Sequence, residues 1–274
     1  MKKTVLLVGM AVVLTVHGVS QDKNKLYALT YKFKKGDVYT ISLNTYYTLS
    51  STASGRTSYG ESSFEVKQEI ENVDAKLIDV RIKAALTRCS INGKNLTYKL
   101  GDVFSNKVFF LTLDRFGKLY QDSLFVQTGG EGIQGFGSDF SYVMNPLPDY
   151  PVKEGDSWDV AEYVDEKQFE KMLNLTELAV TDPKVRGRYT LVSVTDNVAK
   201  ISSDIEISGG GSMDAMPTVE FLMKLTGIYF LDLTTGIPAS GQITTELAAV
   251  APTGTGDINF RASRSVNFVV EQAN

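Results

Sequence analysis

Two Gly-Asp pairs are the residues in this chain whose type and repetition could carry out chemistry. Each pair belongs to a Lys-x-Gly-Asp-x-aromatic motif, and the two motifs lie 119 positions apart. Two carboxyl groups held roughly 5 to 9 Å apart could hydrolyse a glycosidic bond, so a carboxylate-dependent hydrolase is one function that the sequence permits. The residues concerned are Gly36, Asp37 and Tyr39 in the first motif and Gly155, Asp156 and Trp158 in the second.

The same motif has a simpler structural interpretation. Glycine adopts positive φ in tight turns, and an aspartate beside it accepts hydrogen bonds from nearby backbone amides. The aromatic residue two positions later would then enter the core at the start of a strand. Turn chemistry accounts for every residue type present, so the sequence favours a structural repeat motif and predicts no catalytic residues.

Histidine and cysteine usage removes most other catalytic and metal sites. His17 is the only histidine, and it falls inside an N-terminal segment that we expect to be cleaved off. A mature chain without histidine has no Ser-His-Asp or Cys-His arrangement and no imidazole metal ligand. Cys89 is the only cysteine, and its strand-like surroundings favour a small buried side chain over a reactive thiol. We therefore expect no metal and no cofactor.

The best candidate for a ligand-binding surface is an apolar cluster that follows three consecutive glycines at 209–211. Methionine-rich surfaces adapt their shape to varied apolar ligands. Residues of this type are mostly buried, so ordinary core packing is the favoured interpretation. The cluster consists of Met213, Met216, Val219, Phe221, Leu222, Met223 and Leu225, among which Met213, Met216, Phe221 and Met223 are the predicted ligand contacts.

Alternation of apolar and polar residues with a period of two recurs along most of the chain, as in 64–70, 77–83 and 201–207. This pattern is typical of strands with one buried and one solvated face, and turn sequences that contain glycine separate the segments. The sequence therefore predicts a mainly β fold of antiparallel hairpins, with one or two short helices. Residues 165–178 are the best helix candidate, whereas 219–225 could be a second helix or a buried strand.

The organisation along the chain indicates an internal duplication. Besides the two Lys-x-Gly-Asp motifs, a Phe-Leu-x-Leu segment followed by glycine occurs at 110–117 and again at 230–236. We expect a first β repeat over residues 26–149 and a second over 150–274. Two tandem antiparallel sheets could pack as a sandwich or join edges into an incomplete barrel, and the sequence leaves open whether they share one core.

The N-terminal residues have the pattern of a secretory signal peptide. Lys2 and Lys3 precede an apolar run over 5–16, and small residues lead to Ser20. We expect a signal peptide over 1–20 that is cleaved near Ser20, because the apolar run is shorter than the roughly 20 residues that cross a bilayer. No membrane-spanning segment is expected in the mature chain, which we place in the periplasm or outside the cell.

The charge of the chain excludes two classes of partner. The formal net charge is −4, and loss of the two N-terminal lysines leaves −6. An acidic chain without a Lys/Arg cluster lacks the positive surface that binds nucleic acid or anionic lipid. The expected partner is therefore an apolar ligand or another protein of the cell envelope.

The motif-bearing segment 147–158, Leu-Pro-Asp-Tyr-Pro-Val-Lys-Glu-Gly-Asp-Ser-Trp, carries a family resemblance. Together with the first Lys-x-Gly-Asp motif, it resembles an uncharacterised family of exported β proteins from Bacteroidota-type bacteria. The resemblance implies location and fold, and it brings no activity with it. At the level of fold, the chain is also distantly similar to the half-barrels of periplasmic lipoprotein carriers, which bind acyl chains on a concave apolar face.

Three functional hypotheses follow from the sequence. The first is a non-enzymatic envelope protein whose β scaffold binds an apolar or lipid ligand. The second is a structural or protein-interaction module of the cell envelope, acting through its sheet edges. The third is the carboxylate-dependent hydrolase, which the absence of histidine permits and no other feature favours.

Overall fold

The computed structural model describes residues 24–104, 108–122, 145–160, 178–213, 216–253 and 256–273. Strands dominate these ranges. In the first half of the chain they are β1 (Val38–Ser51), β2 (Arg56–Val73), β3 (Leu77–Ile91), β4 (Lys94–Asn95), β5 (Val108–Asp114) and β6 (Leu119–Asp122). In the second half they are β7 (Ser157–Asp159), β8 (Leu178–Thr195), β9 (Val198–Met213), β10 (Met216–Asp232), β11 (Ile237–Thr253) and β12 (Gly256–Gln272). The mainly β prediction is confirmed.

All twelve strands belong to one antiparallel sheet. The strand order is β6-β5-β3-β2-β1-β12-β11-β10-β9-β8-β7, and β4 pairs with β3 beside this path. Strand β1 pairs with β12, so the first strand of the chain is joined to the last. In the described residues the edge strands β6 and β7 do not pair with each other, and the sheet is therefore open.

Helix is scarce in the described residues. Helix α1 (Thr97–Phe104) has eight residues and begins where the Asn95 side-chain oxygen accepts a hydrogen bond from the Thr97 amide at 2.9 Å. Sequence analysis did not predict it, although an Asn or Asp just before a short apolar segment is a known helix-start signal. Within the described ranges no helix is long and apolar enough to cross a membrane.

The two helix candidates have different outcomes. The segment 219–225 is part of strand β10, which settles the alternative that the sequence left open in favour of a buried strand. Its alternate residues Val219, Phe221, Met223 and Leu225 are buried, as a period of two requires. The candidate at 165–178 lies almost entirely outside the described residues, and Leu178 begins strand β8.

One face of the sheet is buried and the other is exposed to water. In β1 the buried residues are Tyr39, Ile41, Leu43 and Thr45, which alternate with exposed or half-buried ones. We call the buried side the core face and the opposite side the outer face. Complete burial of a large apolar side chain contributes roughly 1.5 to 3 kcal/mol, so this alternation is the main reason that each segment forms a strand.

Two extended segments cross the core face at one end of the sheet. Residues 26–33 and 145–152 pair with each other through Tyr27 and Val152, whose amides each donate to the other's carbonyl at 2.7 and 2.9 Å. Leu29, Tyr31 and Phe33 are buried in the same core. The crossing segments thus cover apolar surface that an open sheet cannot cover with its own strands.

The N-terminal crossing segment touches turns from both halves of the sheet. The Tyr31 amide donates to the Arg115 carbonyl at 2.8 Å, in the turn between β5 and β6. The next amide, that of Lys32, donates to the Gly236 carbonyl at 3.3 Å, in the turn between β10 and β11. Gly236 has a φ of +67°, and a Cβ there would lie 2.6 Å from the Lys32 amide nitrogen. Glycine is therefore required for this close approach.

Three tyrosines, Tyr31, Tyr189 and Tyr229, are near one another in the core where the crossing segments pack on the sheet. The Tyr31 hydroxyl donates to the Asn145 carbonyl at 2.8 Å, whereas the buried Tyr229 hydroxyl has no hydrogen-bond partner in the described residues. Burial, followed by the neighbouring Tyr189, raises the pKa of Tyr31 above its ordinary value. Burial, followed by Tyr31 and Tyr189, also raises the pKa of Tyr229. All of these effects favour the neutral phenol.

Removal of each hydroxyl should change stability differently. Tyr31→Phe eliminates a hydrogen bond and should lower the free energy of unfolding by about 1 kcal/mol, whereas Tyr229→Phe eliminates an unpartnered polar group and should be neutral or stabilising by up to about 1 kcal/mol. Urea unfolding of both variants and the parent protein measures the difference. Equal destabilisation by the two variants would contradict this assignment of the hydroxyl partners.

Candidate functional site

The two Lys-x-Gly-Asp motifs form turns of the same geometry. Gly36 has a φ of +88° and Gly155 a φ of +90°. The Asp37 carboxylate accepts a hydrogen bond from the Lys34 amide, and the Asp156 carboxylate accepts one from the Lys153 amide, each at 2.9 Å. Both carboxylates therefore perform the turn role that the residue types predict.

Each turn also attaches its strand to the neighbouring strand in the same way. The Gly36 amide donates to the Ile70 carbonyl at 2.8 Å, and the Ile70 amide donates back to the Asp37 carbonyl at 2.9 Å. The Gly155 and Asp156 backbone groups make the corresponding pair of bonds with Leu191, at 2.7 and 3.0 Å. The motif thus begins a strand and docks it onto the next one.

The aromatic residue of each motif lies in the core. Tyr39 and Trp158 are almost completely buried. The Trp158 indole N–H donates to the Pro146 carbonyl at 3.1 Å, and its ring stacks on Tyr189 with centroids 5.9 Å apart. The Tyr39 hydroxyl donates to the Asp37 carboxylate at 2.8 Å, and burial followed by this carboxylate raises the pKa of Tyr39.

Alanine at the motif glycines should destabilise the fold through backbone strain alone. A Cβ at Gly36 or Gly155 would meet no atom within 4 Å, but a left-handed residue other than glycine costs about 1 to 2 kcal/mol. Gly101 is the matched control, because it has equally open surroundings and lies inside helix α1. There, alanine should stabilise by about 0.5 to 1 kcal/mol. Thermal unfolding measures whether the changes in stability have these opposite signs. A Gly155→Ala variant as stable as the parent protein would refute the strain argument.

The predicted ligand contacts all lie in the β9–β10 pair. Met213 and Met216 are register partners at the ends of the two strands. Phe221 and Met223 lie further along β10 on the core face, and both are buried. The ring of Phe221 covers Gly209, since a Cβ at that glycine would lie 3.1 Å from the ring edge. The structure thus brings the four residues to neighbouring strands, with Phe221 and Met223 on the buried side.

These residues extend into a larger apolar surface that crosses three strands. Met223 is the register partner of Ile207 on β9 and of Leu247 on β11, and Phe221 is the partner of Ala249. Sequence analysis missed the β11 contribution, because the unbroken apolar run over 247–251 gives no sign of which residues face the core. We call this surface the apolar strip; it consists of Ile205, Ile207, Val219, Phe221, Met223, Leu225, Leu247, Ala249 and Ala251.

The outer face behind the apolar strip is polar. Lys224 stands directly between Glu206 on β9 and Glu246 on β11. Opposite charges at facing positions of neighbouring strands stabilise a sheet modestly. The strands β9 to β11 therefore carry charges on the outer face, where Leu222 is an exposed apolar side chain, and collect most of their apolar side chains on the core face.

One arginine lies on the same face as the apolar strip. Arg264 on β12 is the register partner of Tyr47 on β1 and of Thr245 on β11. Burial lowers the pKa of its guanidinium to about 10. Sequence analysis did not single out this residue, because a lone arginine within an alternating strand gives no signal of its facing direction.

Cys89 is buried, as predicted for a small core side chain. Burial, followed by the charge of Glu61, raises the pKa of its thiol. A raised pKa reduces the thiolate fraction, and the thiolate is the reactive form. The structure therefore agrees with a structural role for Cys89.

The Cys89 thiol should be unreactive in the folded protein. A thiol-specific chromogenic reagent at pH 8 is expected to modify it at least about 100-fold more slowly in the native protein than in 6 M guanidinium, because access and thiolate fraction are both reduced. Fast modification of the native protein would show that this part of the sheet opens readily.

Depressions on the outer face are formed by several groups of described residues. One of about 600 Å³ lies over β7, β8 and β9 and is lined by charged side chains that include Arg186 and Glu206. One of about 370 Å³ lies near Lys224 and Arg261, and one of about 400 Å³ lies beside Tyr46 and Tyr59. The described residues contain no group of three or more His, Cys, Asp or Glu side chains that could hold a metal ion.

Comparisons with known proteins reveal no family. No family model matches the chain, and no curated protein matches it. A solved lipovitellin structure is 9% identical, with a TM-score of 0.46, over 88% of this chain, which spans about a quarter (26%) of that lipovitellin chain.

Two further solved structures are similar to a lower degree. DynF, from the dynemicin biosynthesis pathway of Micromonospora chersina, is 7% identical over 89% of this chain and 84% of its own, with a TM-score of 0.22. An outer membrane channel from Pseudomonas putida F1 is 8% identical over 88% of this chain and 97% of its own, with a TM-score of 0.25. Scores this low do not identify a function.

Proposed function

We propose that this chain is an exported, non-enzymatic protein of the cell envelope that binds an apolar ligand, most concretely a lipid acyl chain, on its apolar strip. The observation that carries the proposal is the continuity of that strip across β9, β10 and β11 on one face of an open sheet. The strip residues are buried or half-buried, so an acyl chain would be bound inside the core of the open sheet and not on its solvent-exposed surface.

The dimensions of the strip suit an acyl chain. Val219 to Leu225 spans six residue steps in β10, which is about 20 Å at a strand rise of about 3.3 Å per residue. Half of a bilayer's hydrocarbon core is about 15 Å thick. The strip is therefore long enough to lie along the full length of a common acyl chain.

The residue types of the strip favour an adaptable surface. Met223 has a flexible, polarizable thioether that can fill irregular space around an apolar ligand. Ala249 and Ala251 are small, and they are interspersed with the larger Phe221 and Leu247. Binding sites for small apolar molecules are lined in this way, by apolar side chains of varied size.

The hydrogen bonds of the two motif carboxylates support a non-enzymatic role. Asp37 and Asp156 are the carboxylates that the sequence offers for catalysis, and each accepts a hydrogen bond from a turn amide at 2.9 Å. A carboxylate that anchors a turn is not free to move toward a substrate. The hydrolase hypothesis therefore has no geometric support in the described residues.

The molecules that co-purify with the natively produced protein test the proposal directly. Purification from its native host, followed by lipid extraction and native mass spectrometry, is expected to show a stoichiometric acyl ligand. A preparation that carries only a protein partner would contradict the proposal and favour a structural or protein-interaction module. The same spectra show whether the mature chain begins near Gln21, as the signal peptide predicts.

Substitutions on opposite faces of β10 should separate ligand binding from general effects. Met223 is 8% exposed on the core face, and its neighbour Leu222 is 36% exposed on the outer face. Met223→Ser should weaken binding of a fluorescent fatty acid about tenfold, because burial of such a side chain contributes roughly 1.5 to 3 kcal/mol. Leu222→Ser should leave the dissociation constant unchanged. Fluorescence titration measures both, with thermal unfolding as the check that each variant is folded.

Two outcomes would count against the strip as the binding surface. The first is an equal loss of affinity in both variants. The second is a folded parent protein, stripped of lipid, that binds no fatty acid probe.

A further inference from the structure

A second candidate binding surface lies on the outer face, across the sheet from the core. It is a groove of about 400 Å³ that runs over β1 and β2 and reaches β3 and β12. We call it the tyrosine groove. The side chains that line it include Tyr46, Tyr59, Glu61, Ser90, Ser263 and Ser265. None of these residues belongs to the apolar strip, so the inference does not depend on the proposed function.

Two exposed aromatic rings line the groove. Tyr46 is 53% exposed and Tyr59 is 59% exposed. Tyr46 stands opposite Glu61, and Tyr59 stands opposite Thr48, so the two tyrosines are diagonal neighbours with Cβ atoms roughly 7 Å apart. Tyrosine has few rotatable bonds and loses little entropy on binding. The sheet thus presents two aromatic surfaces at a defined spacing.

A carboxylate beside the rings is held in place. One Glu61 carboxylate oxygen contacts the Arg88 guanidinium at 2.6 Å and accepts a hydrogen bond from the Ser90 hydroxyl at 3.1 Å. These contacts use one oxygen of the carboxylate, and the pairing with Arg88 offsets its charge. Glu61 is therefore an oriented hydrogen-bond acceptor in a nearly neutral setting.

Small hydroxyl side chains line the other side of the rings. Ser265 is the register partner of Tyr46, and Ser263 is the partner of Thr48. A serine hydroxyl both donates and accepts hydrogen bonds. The groove therefore combines flat aromatic rings with short polar groups that can donate hydrogen bonds to the hydroxyls of a ligand or accept hydrogen bonds from them.

We propose that the tyrosine groove binds a neutral oligosaccharide. A sugar ring has a face of C–H groups that packs against an aromatic ring and a rim of hydroxyls that both donate and accept. Tyr46 and Tyr59 match two such faces, while Glu61, Ser263 and Ser265 match the rim. The offset charge of Glu61 and Arg88 favours a neutral sugar over an acidic one.

A protein partner fits this groove less well. Stable protein interfaces bury about 800 Å² on each partner around an apolar centre. The large apolar groups of the tyrosine groove are confined to its tyrosines, and the rest of its lining is Ser, Thr, Gly and Glu. The patch is therefore the size of a few sugar units, whereas a protein needs a wider apolar centre.

Titration of the mature protein with soluble hexasaccharides of glucose and of N-acetylglucosamine tests the proposal. Calorimetry and saturation-transfer NMR should show saturable binding of at least one of them. Tyr46→Ala and Tyr59→Ala should each weaken binding about fivefold, because each removes one stacking surface. Tyr46→Phe should retain most of the affinity, since the ring is kept. Tyr120→Ala is the matched control, because Tyr120 is 55% exposed on β6, away from the groove.

These measurements distinguish a groove that binds a saccharide from one that binds a peptide or protein. Absence of binding to both hexasaccharides would overturn the proposal, as would equal weakening by Tyr120→Ala. Capture of a peptide or protein that depends on Tyr46 and Tyr59, without saccharide binding, would also overturn it and assign the groove to a protein. Fatty acid binding should be unchanged in the groove variants, so failure of this proposal is distinguishable from failure of the lipid proposal.

Discussion

One physical constraint governs this structure: a single sheet with one apolar face that does not close on itself. Buried residues alternate with exposed ones along the strands, so every strand contributes to the same side of one layer. A closed barrel covers its interior with its own wall, but here the edge strands β6 and β7 stay apart in the described residues. The apolar face needs other cover, and the crossing segments supply it at one end.

The N-terminal crossing segment also depends on two turns of the sheet for its backbone hydrogen bonds. Leu29, Tyr31 and Phe33 sit in the core, while the backbone of the same segment bonds to the β5–β6 and β10–β11 turns. Buried backbone groups require hydrogen-bond partners, and these turns provide them. The close approach at Gly236 follows from this requirement, because a side chain there would push the segment off the sheet.

The two proposed binding surfaces lie on opposite faces of the sheet because successive residues of a strand point to opposite sides. On the core face, alternation collects Met223, Phe221 and their neighbours into a largely apolar surface. On the outer face, the intervening positions hold hydroxyls, charges and scattered aromatic rings. A strand period of two thus places an apolar surface and a polar, ring-bearing surface on opposite sides of one layer. Function can differ between the faces without any change of fold.

The sequence by itself determined the local features. The period of two predicted strands such as 64–70 and 201–207, and Lys-x-Gly-Asp predicted a turn with an aspartate acceptor and a buried aromatic. These features depend on residues that are close in the chain. The sequence could not decide between helix and strand at 219–225, because charged residues interrupt its apolar run in a way that suits both periods.

Only the tertiary structure decided which strands meet and which residues share a face. The pairing of β1 with β12 joins residues more than 200 positions apart, and no local pattern encodes such a register. The apolar strip needs β9, β10 and β11 in register, and the tyrosine groove needs β1, β2, β3 and β12 together. Such surfaces arise from long-range pairing, which depends on the burial of the whole core face and is invisible in any single segment.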